Sequence, residues 1–198
     1  LDVASPISEF HIINDKKIVD SIKIGDNADQ KLSDLLIPTY LDINNTYKLF
    51  KNIKKLIITI GPGSYTSLRV GASFIAGLSQ SMNLPVSVIS TETMYKYLHY
   101  ANKQIGIYFE SLNKQKFFSY KKDSYFFHEK IENENYVIPE SISLVFYNFA
   151  SPKFIDNKIK SETFSIKKIV LKNLDLLEFS KNKIIKPIYI SNNSILNW

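Results

Sequence analysis

The sequence predicts an α/β protein with a mixed sheet in the order βββαβαβα over residues 1–103, followed by a reduced second α/β subdomain over residues 104–198. Three observations predict it. Short β-branched runs alternate with stretches whose apolar residues return at helical spacing. The run Ile57-Ile58-Thr59-Ile60 stops at a Gly61-Pro62-Gly63 corner, and a long helical pattern begins at once. Beyond Lys103 the alternation gives way to short aromatic strands separated by polar turns.

Residues 1–5 read as the end of a strand, and a chain opening in mid-strand is expected to lack a few residues before Leu1. Residues 10–13 and 18–24 are strands joined by the polar turn Asn14-Asp15-Lys16-Lys17. From Asp29, the residues Leu32, Leu35, Leu36, Tyr40 and Ile43 fall at helical spacing, with Pro38 expected to kink or interrupt the helix. Residues 56–60 are a continuous apolar run, as in a strand covered on both faces. A helix follows from about Ser64 to Asn83, with Pro85 just beyond its end. Residues 86–89 make another strand, and Thr91 and Glu92 open a helix that runs to about Ala101. The first three strands suit an antiparallel meander, and the later strand–helix–strand unit a parallel crossover. In the second part, residues 104–110, 116–120, 124–130 and 144–149 read as strands and 166–177 as a helix. Residues 188–190 make a final strand or tail, and the pattern fixes no topology there.

Composition excludes several classes. Zero cysteines remove disulfides, thiolate catalysis and cysteine-bound zinc or iron–sulfur. No apolar run approaches a membrane span, and no basic-then-apolar leader opens the chain, so a cytoplasmic protein is expected. The net charge of +6 suits a nucleic-acid partner, but the lysines are spread among equally abundant Asn and Ile. Against that lysine-rich background Arg69 is the only arginine, which points to a task for a planar fork.

The corner feeds a helix N-terminus, a natural anion site. Yet neither a Gly-Lys-Ser/Thr nor a Gly-x-Gly-x-x-Gly spacing follows, so a tight structural turn competes with a phosphate cradle. Gly61 and Gly63 permit backbone angles that a side chain forbids, and Ser64 or Thr66 can cap the helix. Along that helix Ser67 and Gly71, Ala72 and Ala76, and Ser73, Gly77 and Ser81 recur four apart and so share faces. Each internal glycine costs about 1 kcal/mol relative to alanine, which close approach of another backbone would offset. That backbone belongs either to the chain's own sheet or to a helix of another chain.

Conventional catalytic groups are sparse. His11 falls on a strand, and His99 and His128 read as surface residues with no His-x-x-x-His pair. Asp26, Asp29 and Asp34 read as turn and exposed-helix residues. The aromatic segments between Tyr108 and Phe127 could stack bases beside Lys114, Lys116, Lys121 and Lys122, or form a half-buried sheet.

The stretch Gly61-Pro62-Gly63-Ser64-Tyr65-Thr66-Ser67-Leu68-Arg69-Val70-Gly71 resembles the signature of the TsaB (YeaZ) family, which usually reads Gly-Pro-Gly-Ser-Phe-Thr-Gly-Leu/Val-Arg-Ile-Gly. The opening Leu1-Asp2-Val3-Ala4, Leu35-Leu36, Leu84-Pro85-Val86 with Ser90-Thr91, and Lys186-Pro187-Ile188-Tyr189-Ile190 are similar to other family positions. The likeness is good to about residue 102 and faint beyond. Ser67 and Tyr65 depart from the usual Gly and Phe, Lys31 from a His-Ser-Glu element, and Glu110-Ser111-Leu112-Asn113 from Asp-Ala-Arg.

The resemblance implies an actin-like ATPase (ribonuclease H-like) fold and a non-catalytic subunit. Its role would be to bind and stabilise the TsaD-type transferase that makes threonylcarbamoyl-adenosine in tRNAs reading ANN codons. It also implies a TsaE-type ATPase as a further partner, only indirect contact with tRNA, and a homodimer as an arrangement open to the chain alone. No cofactor is implied in this chain, with ATP and metal on partner subunits, and Asp2 is the degenerate nucleotide-site acid. The implied partner interface is the first two helices, through Leu32, Leu35, Leu36, Tyr40, Ser67, Gly71, Ser73, Phe74, Gly77 and Ser81. The alternatives are an active actin-like small-molecule kinase or ATPase using Asp2 and the corner, and a metallopeptidase.

Overall fold

The computed structural model describes residues 1–25, 30–98, 103–112, 114–155, 159–181, 183–191 and 194–195. β1 (Glu9–Asn14) and β2 (Lys17–Lys23) form an antiparallel hairpin. The segment before β1 bridges Glu9 antiparallel through Asp2. On its other side Leu1 donates to the Ile57 carbonyl at 2.8 Å and accepts from the Thr59 amide at 3.2 Å, the stagger of parallel neighbours. Those partners lie on β3 (Leu56–Gly61), which pairs parallel with β4 (Val86–Ser90). α1 (Leu32–Tyr47) and α2 (Leu49–Asn52) connect β2 to β3, α3 (Tyr65–Met82) connects β3 to β4, and α4 (Thr91–Tyr97) follows. Across this half the order is β2, β1, the opening segment, β3, β4.

The second sheet joins β7 (Tyr125–Ile131), β6 (Lys116–Lys122), β5 (Ile105–Glu110), β8 (Leu144–Tyr147) and β9 (Lys160–Thr163) in that order. β5 to β7 run antiparallel, while β5, β8 and β9 run parallel. Counted along the chain, both halves therefore read third, second, first, fourth, fifth. The sequence carries no visible repeat, yet the topology is repeated. The chain ends in α5 (Ile166–Lys172), a 3-10 turn at Leu174–Leu176, and the short strands β10 (Ile190–Ser191) and β11 (Ser194–Ile195).

Alternation along the strands sets the packing. Ile105, Ile107 and Phe109 of β5, Phe117 of β6, and Leu144 and Phe146 of β8 enter the main core with Val3, Ile58, Leu68 and Ile75 of the first half. Their neighbours Tyr108, Phe118, Tyr120 and Val145 face the other way, into a second cluster with Ile138 and Ile142. Burial on both faces explains why these strands read as near-continuous apolar runs.

Several expectations change. α1 runs unbroken through Pro38. The proline removes one intrahelical donor, but buried Leu32, Leu36, Tyr40 and Ile43 hold the helix down on both sides of it. The helix expected over 166–177 tightens into a 3-10 turn after Lys172. α2 and β9 were not anticipated. The helix expected to reach Ala101 stops at Tyr97, with Leu98 as its C-cap. His99, Asp26 and Asp29 lie outside the described residues.

Candidate functional site

The corner is built where β3 runs out. Gly61 has φ +101°, a conformation that L side chains rarely adopt, and is followed by a cis bond to Pro62. Gly63 is glycine for a different reason than expected. Its φ is not positive, but a Cβ there would lie 3.2 Å from Ala4 Cα and 3.3 Å from the Ala4 carbonyl oxygen. Ser64 takes the N-cap position of α3, yet its side chain does not make the capping hydrogen bond. Pro62 and Ser64 are buried, while Tyr65, Thr66 and Arg69 are exposed.

The opening segment lies against this corner and fixes Asp2. The Asp2 Oδ1 accepts from Thr59 Oγ1 at 2.9 Å and from the amides of Ala4 and Ser5 at 3.1 and 3.2 Å. Its Oδ2 accepts from Ser5 Oγ at 2.7 Å. Thr59 Oγ1 in turn accepts from the Val3 and Ala4 amides at 3.0 and 3.2 Å. The acid and the threonine thus tie the turn after the opening segment to β3.

A cavity of about 150 Å³ opens beside Asp2 between the halves, lined also by Glu9, His11, Asn148, Ser165 and Lys167. His11 Nδ1 meets Ser21 Oγ at 2.9 Å, and burial pushes its pKa down to about 4. The actin-like fold expected from the sequence would place a metal-bound nucleotide here, and these residues suit one poorly. The Asp2 carboxylate is already held by four donors, and the turn Ser5-Pro6-Ile7 offers neither glycine nor lysine to phosphate. Glu9 adds a second carboxylate, and ligand pockets usually start near 300 Å³.

The residues predicted for a partner interface divide into three groups. Leu32, Leu36, Tyr40, Ser67 and Gly71 are buried within the chain. A Cβ on Gly71 would lie 2.7 Å from Val3 Cγ2, so this glycine answers the chain's own opening segment. Leu35 and Phe74 are half-buried, and Ser73, Gly77 and Ser81 are exposed. A Cβ on Gly77 would meet nothing within 4 Å. α1 and α3 meet through Tyr40 and Phe74, whose rings pack edge to face at 5.2 Å. Sequence reasoning missed the apolar part of the outward face: Ile37, Leu41 and Phe50 are 56%, 46% and 53% exposed. The signal was Ile37 and Leu41 at i and i+4, widening the apolar stripe of α1 beyond what its own core needs.

Other candidates separate. His128 is not a surface residue: its Nδ1 lies 2.8 Å from Ser119 Oγ and 3.3 Å from Thr91 Oγ1, and burial pushes its pKa to about 4. The base-stacking reading loses its platform, because Tyr108, Phe117, Phe118 and Tyr120 are buried; Tyr125 at the β6–β7 turn is 73% exposed. Among the described residues no group of three His, Cys, Asp or Glu side chains could hold a metal. Among them, too, no helix is long and apolar enough to cross a membrane.

The mixed sheet with its Gly-Pro-Gly corner at the end of β3 is an actin-like ATPase fold. The family model for TsaD, tRNA N6-adenosine threonylcarbamoyltransferase, matches residues 26–142. The chain belongs to that family. Two solved structures from Pseudomonas aeruginosa resemble it over almost its whole length. One, a protein with similarity to peptidase YeaZ, has a TM-score of 0.63 at 10% identity, covering 96% of this chain and 97% of that one. The other, YeaZ, has a TM-score of 0.61 at 10% identity with the same coverage. At that identity the likeness speaks for the fold alone. No curated protein matches significantly. The TsaB (YeaZ) resemblance of the corner is thereby borne out at the level of family and fold.

Proposed function

We propose that the chain is a non-catalytic subunit that binds and stabilises a TsaD-type transferase, docking through the outward faces of α1 and α3. Family membership supports the broader role, threonylcarbamoyl-adenosine modification of tRNA. The observation that carries the finer reading is the open helix pair. Ile37 and Leu41 leave apolar surface on α1, and Ser73, Gly77 and Ser81, four apart on α3, leave a strip of small residues open to another helix. Leu32, Leu36, Tyr40, Ser67 and Gly71 act behind this face, shaping it from within. The bonded state of Asp2 supports a non-catalytic reading over a kinase or ATPase, which would need that acid turned to metal or phosphate. In this reading ATP and metal sit on the partners, a TsaE-type ATPase joins the pair, and tRNA is reached through them.

The test is co-purification of the chain with the TsaD-type protein of the same genome. A stable complex at micromolar concentrations is expected, and none at that concentration would count heavily against the proposal. Gly77→Leu places a bulky side chain at an exposed position where an added Cβ meets nothing within 4 Å. It should weaken the complex at least tenfold with the thermal midpoint intact. Unchanged binding by a folded variant removes the α3 face from the interface.

A further inference from the structure

The segment after α5 does not stay with the half it comes from. Ser180 pairs with Val86 at the start of β4, through two backbone hydrogen bonds of 2.9 and 3.1 Å. Residues 183–189 have no regular structure, and Ile185, Tyr189 and Ile190 pack on the main core. At its far end the Ile188 amide donates to the Ile60 carbonyl at 2.8 Å. The Ile188 carbonyl lies 3.1 Å from where a Cβ of Gly61 would stand, so backbone rests on backbone at the corner. The Tyr189 ring packs on Tyr65 with centroids 4.4 Å apart. The Arg69 guanidinium lies 5.0 Å over the Tyr65 ring, close enough to Tyr189 for its charge to favour that ring's ionised form. Beyond it, β10 packs beside β7, the edge strand of the second sheet.

We propose that residues 183–190 form a releasable strap that holds the two halves together, with Arg69, Tyr65 and Tyr189 as its buckle. The strap follows the Ser180 bridge at the β4 edge of the first half, crosses the corner, and finishes beside the outer strand of the second. It is held by an irregular backbone and by stacking at the surface, where Tyr65 is 51% exposed, rather than by a long ladder. Segments of that kind open locally before the rest of the fold does. The cavity between Asp2, Glu9 and His11 on one side and Asn148, Ser165 and Lys167 on the other provides the seam along which the halves would part. The buckle also accounts for the chain's single arginine. A flat guanidinium can lie on one tyrosine of a stacked pair, whereas a lysine ammonium serves as a point charge.

Hydrogen–deuterium exchange on the full chain tests the strap. Tyr189→Ala should speed exchange of the peptide containing Ile188 at least tenfold, while α1 and β3 keep their rates. Arg69→Lys should act in the same direction and less. The chain has no cysteine, so Ser81→Cys and Ser124→Cys place one spin-label pair across the halves. Tyr189→Ala should broaden the distance distribution between those labels. Unchanged exchange at Ile188 in both variants would mean that the tyrosine and arginine do not hold the segment. A freed segment with an unchanged label distance would mean that it does not hold the halves, and uniform loosening of the first half would make it ordinary core. Each of these outcomes overturns the proposal.

Discussion

The two halves share a strand order and differ in what joins the strands. In the first, the connections from β2 to β3 and from β3 to β4 carry α1 and α3. In the second, the corresponding connections are residues 132–143 and 148–159, without a helix among the described residues. There Ile138, Ile142, Tyr136, Phe154 and Ile155 cover Tyr108, Phe118 and Val145. The strand order survives because the sheet register, not the connection, positions β5 beside β8 and β3 beside β4. The connections decide what remains for other molecules. Helices leave a rigid, partly apolar outer face, while the loops close over their own sheet with aromatic side chains.

The harshest way to break the comparison is to empty the loop-covered cluster. Phe118 is fully buried, with its ring 5.4 Å from Tyr136 and 6.0 Å from Tyr120. Phe118→Ala should cost about 3–5 kcal/mol in denaturant unfolding. Because β5 places Ile105, Ile107 and Phe109 in the core shared with the first half, the transition should stay single and move to lower denaturant. Two separated transitions would show that the loop-covered half unfolds by itself.

Next comes a proton titration, since among the described residues each half holds one largely buried histidine. His11 and His128 are both lowered to about 4 from an ordinary 6.5, mainly by burial. The unfolded chain then binds protons first as the pH falls. Their contribution is fully present above about pH 6.5 and is lost between there and pH 4, by up to about 3 kcal/mol each. Thermal midpoints measured between pH 7.5 and 4.5 should fall, and His128→Phe should flatten that fall by roughly half. An unchanged slope would leave the first half's His11 in charge.

A smaller effect separates the loops from the sheet they cover. Glu129 on β7 accepts from Tyr120 Oη at 2.7 Å and from Tyr136 Oη at 2.6 Å. Burial and that carboxylate push the Tyr120 pKa up to about 12 and the Tyr136 pKa well above its ordinary range. Glu129→Gln should cost about 2 kcal/mol, as expected for weakening hydrogen bonds to a charged acceptor. It should also speed exchange in residues 132–139 without touching transferase binding. Loss of binding in that variant would give the second half a docking role.

How legible this was depends on how local the signal is. Residues 56–83 announce strand, corner and helix because β-branched residues, Gly61 and helical spacing all act within a few positions. The repeated strand order left no such trace. It is a relation between β5 and β8, some forty residues apart, joined by a connection that lacks helical periodicity. Tyr136 and Phe154 read as scattered aromatics until the fold brings their rings to 5.3 Å. Residue type was equally silent about Asp2 and Arg69. An acid at a strand end and a lone arginine suit a nucleotide or a partner as well as they suit Ser5, Thr59 and Tyr189.

The mildest test compares the two glycines of α3, which looked equivalent in sequence. Gly71 is pressed against Val3, so Gly71→Ala should cost about 1–3 kcal/mol through overpacking. Gly77 faces open space, and Gly77→Ala should stabilise the free chain by about 1 kcal/mol, because helical alanine loses less entropy. If the free chain gains stability while the transferase complex weakens, the gap at Gly77 is there for a partner's helix. If stability and binding both improve, the close approach lies elsewhere on the pair, and Ile37 and Leu41 become the residues on which docking must rest.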